Sequence, residues 1–363
     1  MSAIEPAHDA PLALLGATRE ELCARAATLP GGRGQAEALH RSAFREGRFE
    51  PESALPAAQA AAWREALAFD LPRVVRRECE STATGLLEKA VLADARGLEY
   101  ECVRIPMGRE RESICLSTQV GCAMACRFCE TGLLGRLRQL SAAEIVGQVV
   151  LARAQLGWRP TQVVFMGMGE PLDNTANLIQ ALHVLTDRAG LGFARERLTV
   201  CTIGRREGLA ALHALGWKRL NLAISLNAAD DARRSELMPA TRALPLQELQ
   251  ELLISYRPRA NFRLGLHWCL LPGLNDTRDD ARRLAAWCAP LGRVLVQVIP
   301  YNPGTQPITR APSEDEIARF LGWLREEGLA VRRRITKGRG VMAACGQLGN
   351  AELRGRAPRE RGR

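Results

Sequence analysis

Strand-like and helical segments alternate along residues 114–299, and this alternation restricts the possible folds more than any other feature. Apolar runs of strand length lie at residues 114–118, 162–166, 198–203, 220–226, 262–271 and 293–299. Helical patterns lie between them, at residues 142–155, 177–188, 208–215, 231–238 with 246–256, and 278–291. Strands that alternate with helices form right-handed crossovers, so this pattern predicts a parallel sheet. Six such units are too few for a closed eight-stranded barrel, and we expect an α/β fold with an open, partial, six-unit β/α barrel.

The remaining residues have different patterns and predict smaller parts around the barrel. Helical patterns fill most of the first 75 residues, and Thr18 opens a capping box with Glu21. The period changes towards two after residue 84, where segments 86–92 and 98–105 predict a β-hairpin. The expected parts are a helical accessory domain (1–78), a β-hairpin extension (79–110), the barrel core (111–348) and a basic, disordered tail (349–363). The helical domain is either an RNA-docking surface or a cap on the barrel.

Three cysteines follow the first barrel strand with the spacing C-x3-C-x2-C. They are Cys122, Cys126 and Cys129, called the cluster cysteines below. Thiolates hold iron–sulfur clusters, and because a 4Fe-4S cluster normally takes four of them, three leave one iron open. Disulfide cysteines, a zinc knuckle and chance spacing are the alternatives, although zinc sites usually show a second C-x2-C module. The position at the end of a barrel strand favours a functional cluster.

The composition limits the cellular setting and the kind of partner. The chain is 47% hydrophobic, and it has 11 cysteines and a net charge of +10. It contains neither an apolar run of bilayer length nor a secretory signal, so we expect a cytoplasmic protein without membrane contact. Thiols stay reduced in the cytoplasm, so these cysteines indicate metal or redox chemistry rather than structural disulfides. The positive charge is compatible with a polyanionic partner.

A glycine-rich turn follows the second barrel strand. Residues 166–172 read Met-Gly-Met-Gly-Glu-Pro-Leu. Glycines allow the backbone to approach a ligand closely, and Glu170 can accept a hydrogen bond from an ammonium group. Such a segment is often an ordinary turn, but its place one unit after the cluster cysteines favours a ligand site.

These motifs resemble the radical S-adenosylmethionine (SAM) enzymes and, within them, the RlmN/Cfr family of RNA adenine methyltransferases. The superfamily resemblance rests on the cluster cysteines together with Phe128. The family resemblance rests on motifs that occur in the family's order within residues 101–348. These motifs lie at residues 115–122, 132, 138–145, 167–172, 224–226, 299–303 and 343–348.

The resemblance implies two cofactors, a 4Fe-4S cluster on the cluster cysteines and SAM. The residues that it assigns to SAM are Gly169, Glu170, Cys201, Ser225, Leu226, Asn227 and Asn302. Three positions depart from the family's usual residues. Cys201 replaces a serine, Asn227 replaces a histidine, and Glu130 replaces a small residue after the last cluster cysteine. The departures affect the expected SAM contacts and the substrate preference.

The resemblance also implies a route for the methyl group. Cys345 is methylated by one SAM, and a radical made from a second SAM activates that methyl so that it adds to adenine. Glu101 then removes a proton from the adenine carbon, and Cys115 attacks the Cys345 sulfur to release the product and leave a disulfide. Glu99 shares the strand face of Glu101, and an isolated Cys345 would be read as a small packing residue. The other cysteines are expected to pack, namely Cys23, Cys79, Cys102, Cys269 and Cys288.

The implied function is methylation of an adenosine at carbon 2 in 23S rRNA, with tRNA as a second candidate substrate. The implied partners are RNA and an electron donor such as flavodoxin or ferredoxin, and we expect a monomer. Methylation at carbon 8 uses the same residues and is the closest alternative. A radical SAM enzyme with a protein or small-molecule substrate and an inactive RNA-binding relative are the alternatives of another class.

Overall fold

The structure, a computed structural model, describes residues 10–256, 261–350 and 352. The first strands are β1 (Leu12–Ala13), β2 (Leu67–Ala68), β3 (Arg73–Thr82), β4 (Gly85–Ala93), β5 (Glu99–Pro106), β6 (Glu112–Cys115), β7 (Gln119–Cys122) and β8 (Gly135–Gln139). The later strands are β9 (Gln162–Phe165), β10 (Leu198–Thr202), β11 (Asn221–Ser225), β12 (Leu264–Leu270), β13 (Val294–Pro300) and β14 (Val331–Arg333). Most of the predicted basic tail lies outside the described residues.

Helices of ordinary α-helical geometry connect these strands. They are α1 (Arg19–Arg25), α2 (Gly32–Glu46), α3 (Ala57–Ala66), α4 (Glu130–Leu134), α5 (Ala142–Ala154), α6 (Thr175–Thr186), α7 (Arg206–Ala214), α8 (Asp231–Leu237), α9 (Leu246–Ser255), α10 (Arg278–Cys288) and α11 (Glu314–Glu326). Among the described residues, no helix has the length and apolar character to cross a membrane.

The described residues form two compact units. The first contains residues 10–72, 141–159 and 177–193, and the second contains the other described residues. In the first unit, Thr18 caps α1 as predicted, because its Oγ1 accepts from Glu21 N at 3.3 Å and Glu21 Oε2 accepts from Thr18 N at 2.7 Å. The sequence did not predict the parallel pairing of β1 with β2, because strands of two residues are too short to show a strand pattern. The four domain boundaries given above remain a prediction.

One ten-stranded sheet organises the second unit. Its strand order is β14-β13-β12-β11-β10-β9-β6-β5-β4-β3. Neighbours from β6 to β14 are parallel, whereas β3, β4, β5 and β6 pair antiparallel in succession. Each of the six predicted barrel strands has its counterpart, and β14 adds a further parallel strand beside β13. The prediction of an open, partial β/α barrel is confirmed, since β3 and β14 lie at opposite edges of this sheet.

Two segments differ from the sequence prediction. Residues 73–78, which we expected in the helical domain, belong to β3, so the predicted hairpin is a three-stranded antiparallel extension. Because β3 contains many charged residues, it lacks the apolar pattern that predicts a strand. One of them, Arg77, forms an ion pair with Glu88 on the neighbouring strand β4. The second difference is a hairpin of β7 and β8, which brackets the cluster cysteines.

Candidate active site

The cluster cysteines lie between β7 and α4 and line one cavity of the second unit, called the cysteine cavity below. Cys122 ends β7, and Cys129 N donates to Cys126 O at 3.1 Å, so the loop turns tightly between the last two. The apolar side chains of Met124 and Phe128 also line this cavity. Burial raises the pKa of all three thiols, so these sulfurs are neutral until a metal binds.

The donor set of this cavity suits an iron–sulfur cluster. Within the described part of the chain, no three histidine, cysteine or acidic side chains are grouped as ligands of a single metal ion. A 4Fe-4S cluster requires a different arrangement, because each thiolate binds a separate iron at a corner of a larger body. Three thiols from one loop, lining one largely apolar cavity, fit that requirement in number and chemical type.

Gly121 fixes the path of the cysteine loop. Its φ is +73°, and an added Cβ would lie 1.9 Å from Gly135 O on the paired strand. Gly135 has a similar φ of +72°, but a Cβ added there would have no other atom within 4 Å. The two glycines therefore have nearly equal φ values but differ in the space available for a Cβ.

We predict that Gly121→Ala destabilises the protein more than Gly135→Ala does. The positive φ alone costs about 1–3 kcal/mol in each variant, and Gly121→Ala adds a collision with backbone. Urea unfolding of both variants measures this difference, and iron content after reconstitution reports on the loop. Equal unfolding midpoints and equal iron content in the two variants would contradict the assignment.

The turn after β9 lies directly against the loop after β6. A Cβ on Gly167 would lie 2.6 Å from Leu116 O, and one on Gly169 would lie 2.6 Å from Gln119 Cβ. Gly169 also has a φ of +102°, which strongly favours glycine. Gln119 Oε1 accepts a hydrogen bond from Glu170 N at 2.8 Å. These contacts place Glu170 beside the cluster cysteines, as its position in the sequence predicted.

Glu170 is the buried carboxylate of the cysteine cavity. It accepts hydrogen bonds from Leu172 N at 2.9 Å, Thr202 Oγ1 at 2.5 Å and Ile203 N at 3.0 Å. Burial raises the pKa of Glu170 to about 7, although these three bonds oppose the shift. The carboxylate is thus held rigidly and is ready to receive a cationic group.

The structure brings five of the seven expected SAM residues to the cysteine cavity. Those five are Gly169, Glu170, Cys201, Ser225 and Asn227. Leu226 is fully buried, and it is absent from the residues that line this cavity. Asn302 lines a second cavity, where its Nδ2 donates to Cys345 O at 3.2 Å.

The structure gives Asn227 and Glu130 local roles. Asn227 has a φ of +61°, a left-handed conformation that asparagine tolerates, and its Oδ1 accepts from Cys269 N at 2.8 Å. Glu130 accepts from Thr305 N at 2.7 Å and from Thr305 Oγ1 at 2.9 Å. Its own N donates to Gly346 O at 2.7 Å. Both departures from the family pattern therefore support loops around the cavity.

Met166, the first residue of the glycine-rich turn, lies near the two cysteines that the resemblance assigns to methyl transfer. Cys345 lines the cysteine cavity, and its Sγ donates to Met166 Sδ at 3.8 Å. Cys115 ends β6 and receives a hydrogen bond from Met166 N–H. Both cysteines are free thiols. Cys115 and Cys345, which are 230 residues apart in the sequence, thus come together at the end of β9.

Glu101 lies on β5, buried beside a lysine. Its Oε1 is 3.6 Å from Lys89 Nζ, and its Oε2 accepts from Gly349 N at 3.0 Å. Burial raises the pKa of Glu101, against the lowering effects of Lys89 and Gly349. Glu99 is only half-buried and accepts from Asn350 Nδ2 at 2.9 Å. Glu101 is therefore the more deeply buried of the two glutamates, although it does not line the cysteine cavity.

Comparisons with known proteins agree with this fold. Residues 116–285 match the radical SAM superfamily. The crystal structure of a radical SAM methyltransferase from Sphaerobacter thermophilus superposes with a TM-score of 0.83 and 33% identity, covering 93% of this chain and 99% of that one. The protein is a radical SAM methyltransferase.

Curated relatives define the family within that class. The dual-specificity RNA methyltransferase RlmN of Syntrophotalea carbinolica is 41% identical over 69% of this chain and 67% of its own length. The RlmN of Rhodospirillum rubrum is 35% identical over 97% of this chain and 83% of its own length. The chain belongs to the RlmN family of dual-specificity RNA methyltransferases, which confirms the resemblance drawn from the motifs.

Proposed function

We propose that this enzyme methylates carbon 2 of an adenosine in RNA, with 23S rRNA as the main substrate and tRNA as a second one. The relatives named dual-specificity RNA methyltransferases support an RNA substrate. The observation that carries methyl transfer through a cysteine is the meeting of Cys345 and Cys115 at Met166, beside the cysteine cavity. Indirect methyl transfer needs one thiol as carrier and a second thiol to release the product.

The cofactors belong to the cysteine cavity in this proposal. The cluster cysteines would hold a 4Fe-4S cluster, and Gly169, Glu170 and Ser225 would contact SAM. When bound there, the two cofactors would supply the one-electron chemistry that activates the methyl carbon. An electron donor such as flavodoxin or ferredoxin, a monomeric state and a cytoplasmic location complete the proposal.

Three side chains handle the methyl group and the adenine. The Cys345 thiolate would take the methyl from one SAM, which leaves as S-adenosylhomocysteine. The radical chemistry of a second SAM would remove one hydrogen atom from that methyl, whose carbon then bonds to adenine. Glu101 would remove the proton from the adenine carbon, and the one-electron chemistry of the cofactors would take up the remaining electron. A raised pKa suits a carboxylate that accepts a proton near neutral pH. Cys115 next attacks the Cys345 sulfur, so an S–S bond forms as the S–C bond breaks. The electron pair of the broken bond stays with the carbon, which takes up a proton.

We expect SAM binding to weaken as the pH falls through about 7, the value to which burial raises the pKa of Glu170. Above that pH the carboxyl is ionised and attracts the SAM ammonium group, and below it the neutral acid loses this attraction. Titrating the reconstituted enzyme with SAM between about pH 6 and 8.5 measures the effect. Glu170→Gln should bind weakly at every pH; a wild-type affinity that does not change with pH would contradict this role.

Nucleoside analysis tests the proposed function. Ribosomal RNA and tRNA from a strain without the gene, and from the complemented strain, are digested and separated by mass spectrometry. We expect 2-methyladenosine to disappear without the gene and to return with it. Loss of 8-methyladenosine instead would contradict carbon 2 and support carbon 8. An unchanged set of methylated adenosines would contradict the proposal.

A further inference from the structure

Arg334 places a partly buried positive charge beside the cysteines of the second unit, without a carboxylate to balance it. The residue follows β14, and its Nη1 donates to Met166 Sδ at 3.4 Å. It lines a second cavity, which it shares with Cys345. Within the described residues, none of the ion pairs found between basic and acidic side chains involves Arg334. A cation that is partly withdrawn from water is stabilised by a nearby anion, so this arrangement favours an anionic partner.

The groups that face this guanidinium are thiols and one neutral imidazole. Burial alone would lower the pKa of Arg334, but Cys345, Cys201 and Cys115 raise it above its usual value. Burial, and then the charge of Arg334, lower the pKa of His267 to about 3. The His267 Nδ1 has no hydrogen-bond partner in the described structure. His267 therefore supplies no negative charge, and only the thiols can become anions here.

Met166 links the guanidinium to two of these thiols. Its Sδ accepts hydrogen bonds from Arg334 Nη1 at 3.4 Å and from Cys345 Sγ at 3.8 Å. Its backbone N–H bonds to the Cys115 sulfur. Burial, followed by Cys345, raises the pKa of Cys115 to about 12, and Arg334 acts against this rise. Without the arginine, the pKa of Cys115 would be higher still, and its thiolate would form less readily.

We propose that Arg334 stabilises the thiolate forms of Cys345 and Cys115 and thereby controls their reactivity as nucleophiles. This inference rests on the roles given to these cysteines in the proposed function. The thiolate is the reactive form in both methyl uptake and sulfur exchange, and a guanidinium keeps its charge at any working pH. Arg334 is a positioning residue, since it exchanges neither electrons nor protons with the substrate.

The test is the pH dependence of Cys345 alkylation by iodoacetamide in the full-length, cluster-loaded protein before SAM is added. Peptide mass spectrometry gives the alkylation rate for wild type, Arg334→Met, Arg334→Gln and Arg334→Lys. The uncharged variants should move the pH midpoint upwards by about one to three units, and Arg334→Lys should keep most of the wild-type behaviour. Arg333→Met is the control, because it removes a neighbouring guanidinium that pairs with exposed Glu314.

An unchanged midpoint in Arg334→Gln, with a normal circular dichroism spectrum and cluster absorbance, would overturn the inference. Arg334→Gln keeps a polar group of similar shape, so it decides the question if Arg334→Met does not fold. A shifted midpoint combined with RNA methylation that survives Cys345→Ala would support the charge effect and overturn the proposed function. An unchanged midpoint combined with loss of methylation in Cys345→Ala would overturn the charge effect and support the proposed function.

Discussion

Replacing Cys345 with alanine should abolish methyl transfer to RNA and leave the cluster in place. The thiol is the proposed carrier, and alanine offers no atom on which a methyl can be held. Loss of a covalent nucleophile removes activity by a factor of about a thousand or more. The measurement is transfer of a labelled methyl from SAM to RNA under anaerobic conditions, together with the visible absorbance of the cluster.

Cys79→Ala is the matched control for that experiment. Cys79 is an exposed thiol on β3 and has no assigned function, so its loss should leave methyl transfer unchanged. Methylation by Cys345→Ala at a rate near that of the wild type would exclude the carrier mechanism. Loss of the cluster absorbance in Cys345→Ala would instead show that this residue supports the metal site.

Replacing Cys115 with alanine should trap the enzyme on its RNA. Without this thiol, nothing attacks the Cys345 sulfur, so the bond from sulfur through carbon to adenine remains. We expect multiple turnover to fall to background while a covalent protein–RNA adduct accumulates. Denaturing gel electrophoresis with labelled RNA detects that adduct, and nuclease digestion confirms its RNA content.

Cys102→Ala is a suitable control for this second variant, because Cys102 is also a buried cysteine and lies on the neighbouring strand β5. It should turn over normally and form no adduct. An adduct that appears equally in Cys102→Ala, or full turnover by Cys115→Ala, would remove the releasing role from Cys115. The double variant Cys115→Ala with Cys345→Ala should form no adduct, since the carrier is then also absent.

The barrel was predictable because its strands are apolar runs with helices between them. The six predicted strands correspond to β6 and β9–β13, since burial of both faces requires apolar residues at most positions. By contrast, β3 contains five charged residues among its ten, namely Arg73, Arg76, Arg77, Glu78 and Glu80. Its contacts with β4 include cross-strand ion pairs such as Arg77 with Glu88, which a pattern of apolar residues does not reveal.

The candidate site was predictable where its residues are grouped in the sequence. The cluster cysteines and Glu170 belong to short motifs at strand ends, and the structure brings them to one cavity. Met166 and Arg334 follow β9 and β14, which are not neighbours in the sheet, so no local sequence motif reveals their contact. Asn302 lies at the second cavity, where its Oδ1 accepts a hydrogen bond from Arg339 and its Nδ2 donates to Cys345 O. Its motif alone does not reveal these partners.

The position of the methyl group before it reaches RNA is the most direct test of the account. The reconstituted enzyme is given SAM with a deuterated methyl group and no RNA, and is then freed of SAM. Mass spectrometry of the peptide that contains Cys345 should show the deuterated methyl on that sulfur. After unlabelled SAM, reductant and RNA are added, the methyladenosine of the first turnover should carry deuterium. Methyladenosine without deuterium, or a Cys345 peptide without the label, would contradict transfer through this cysteine.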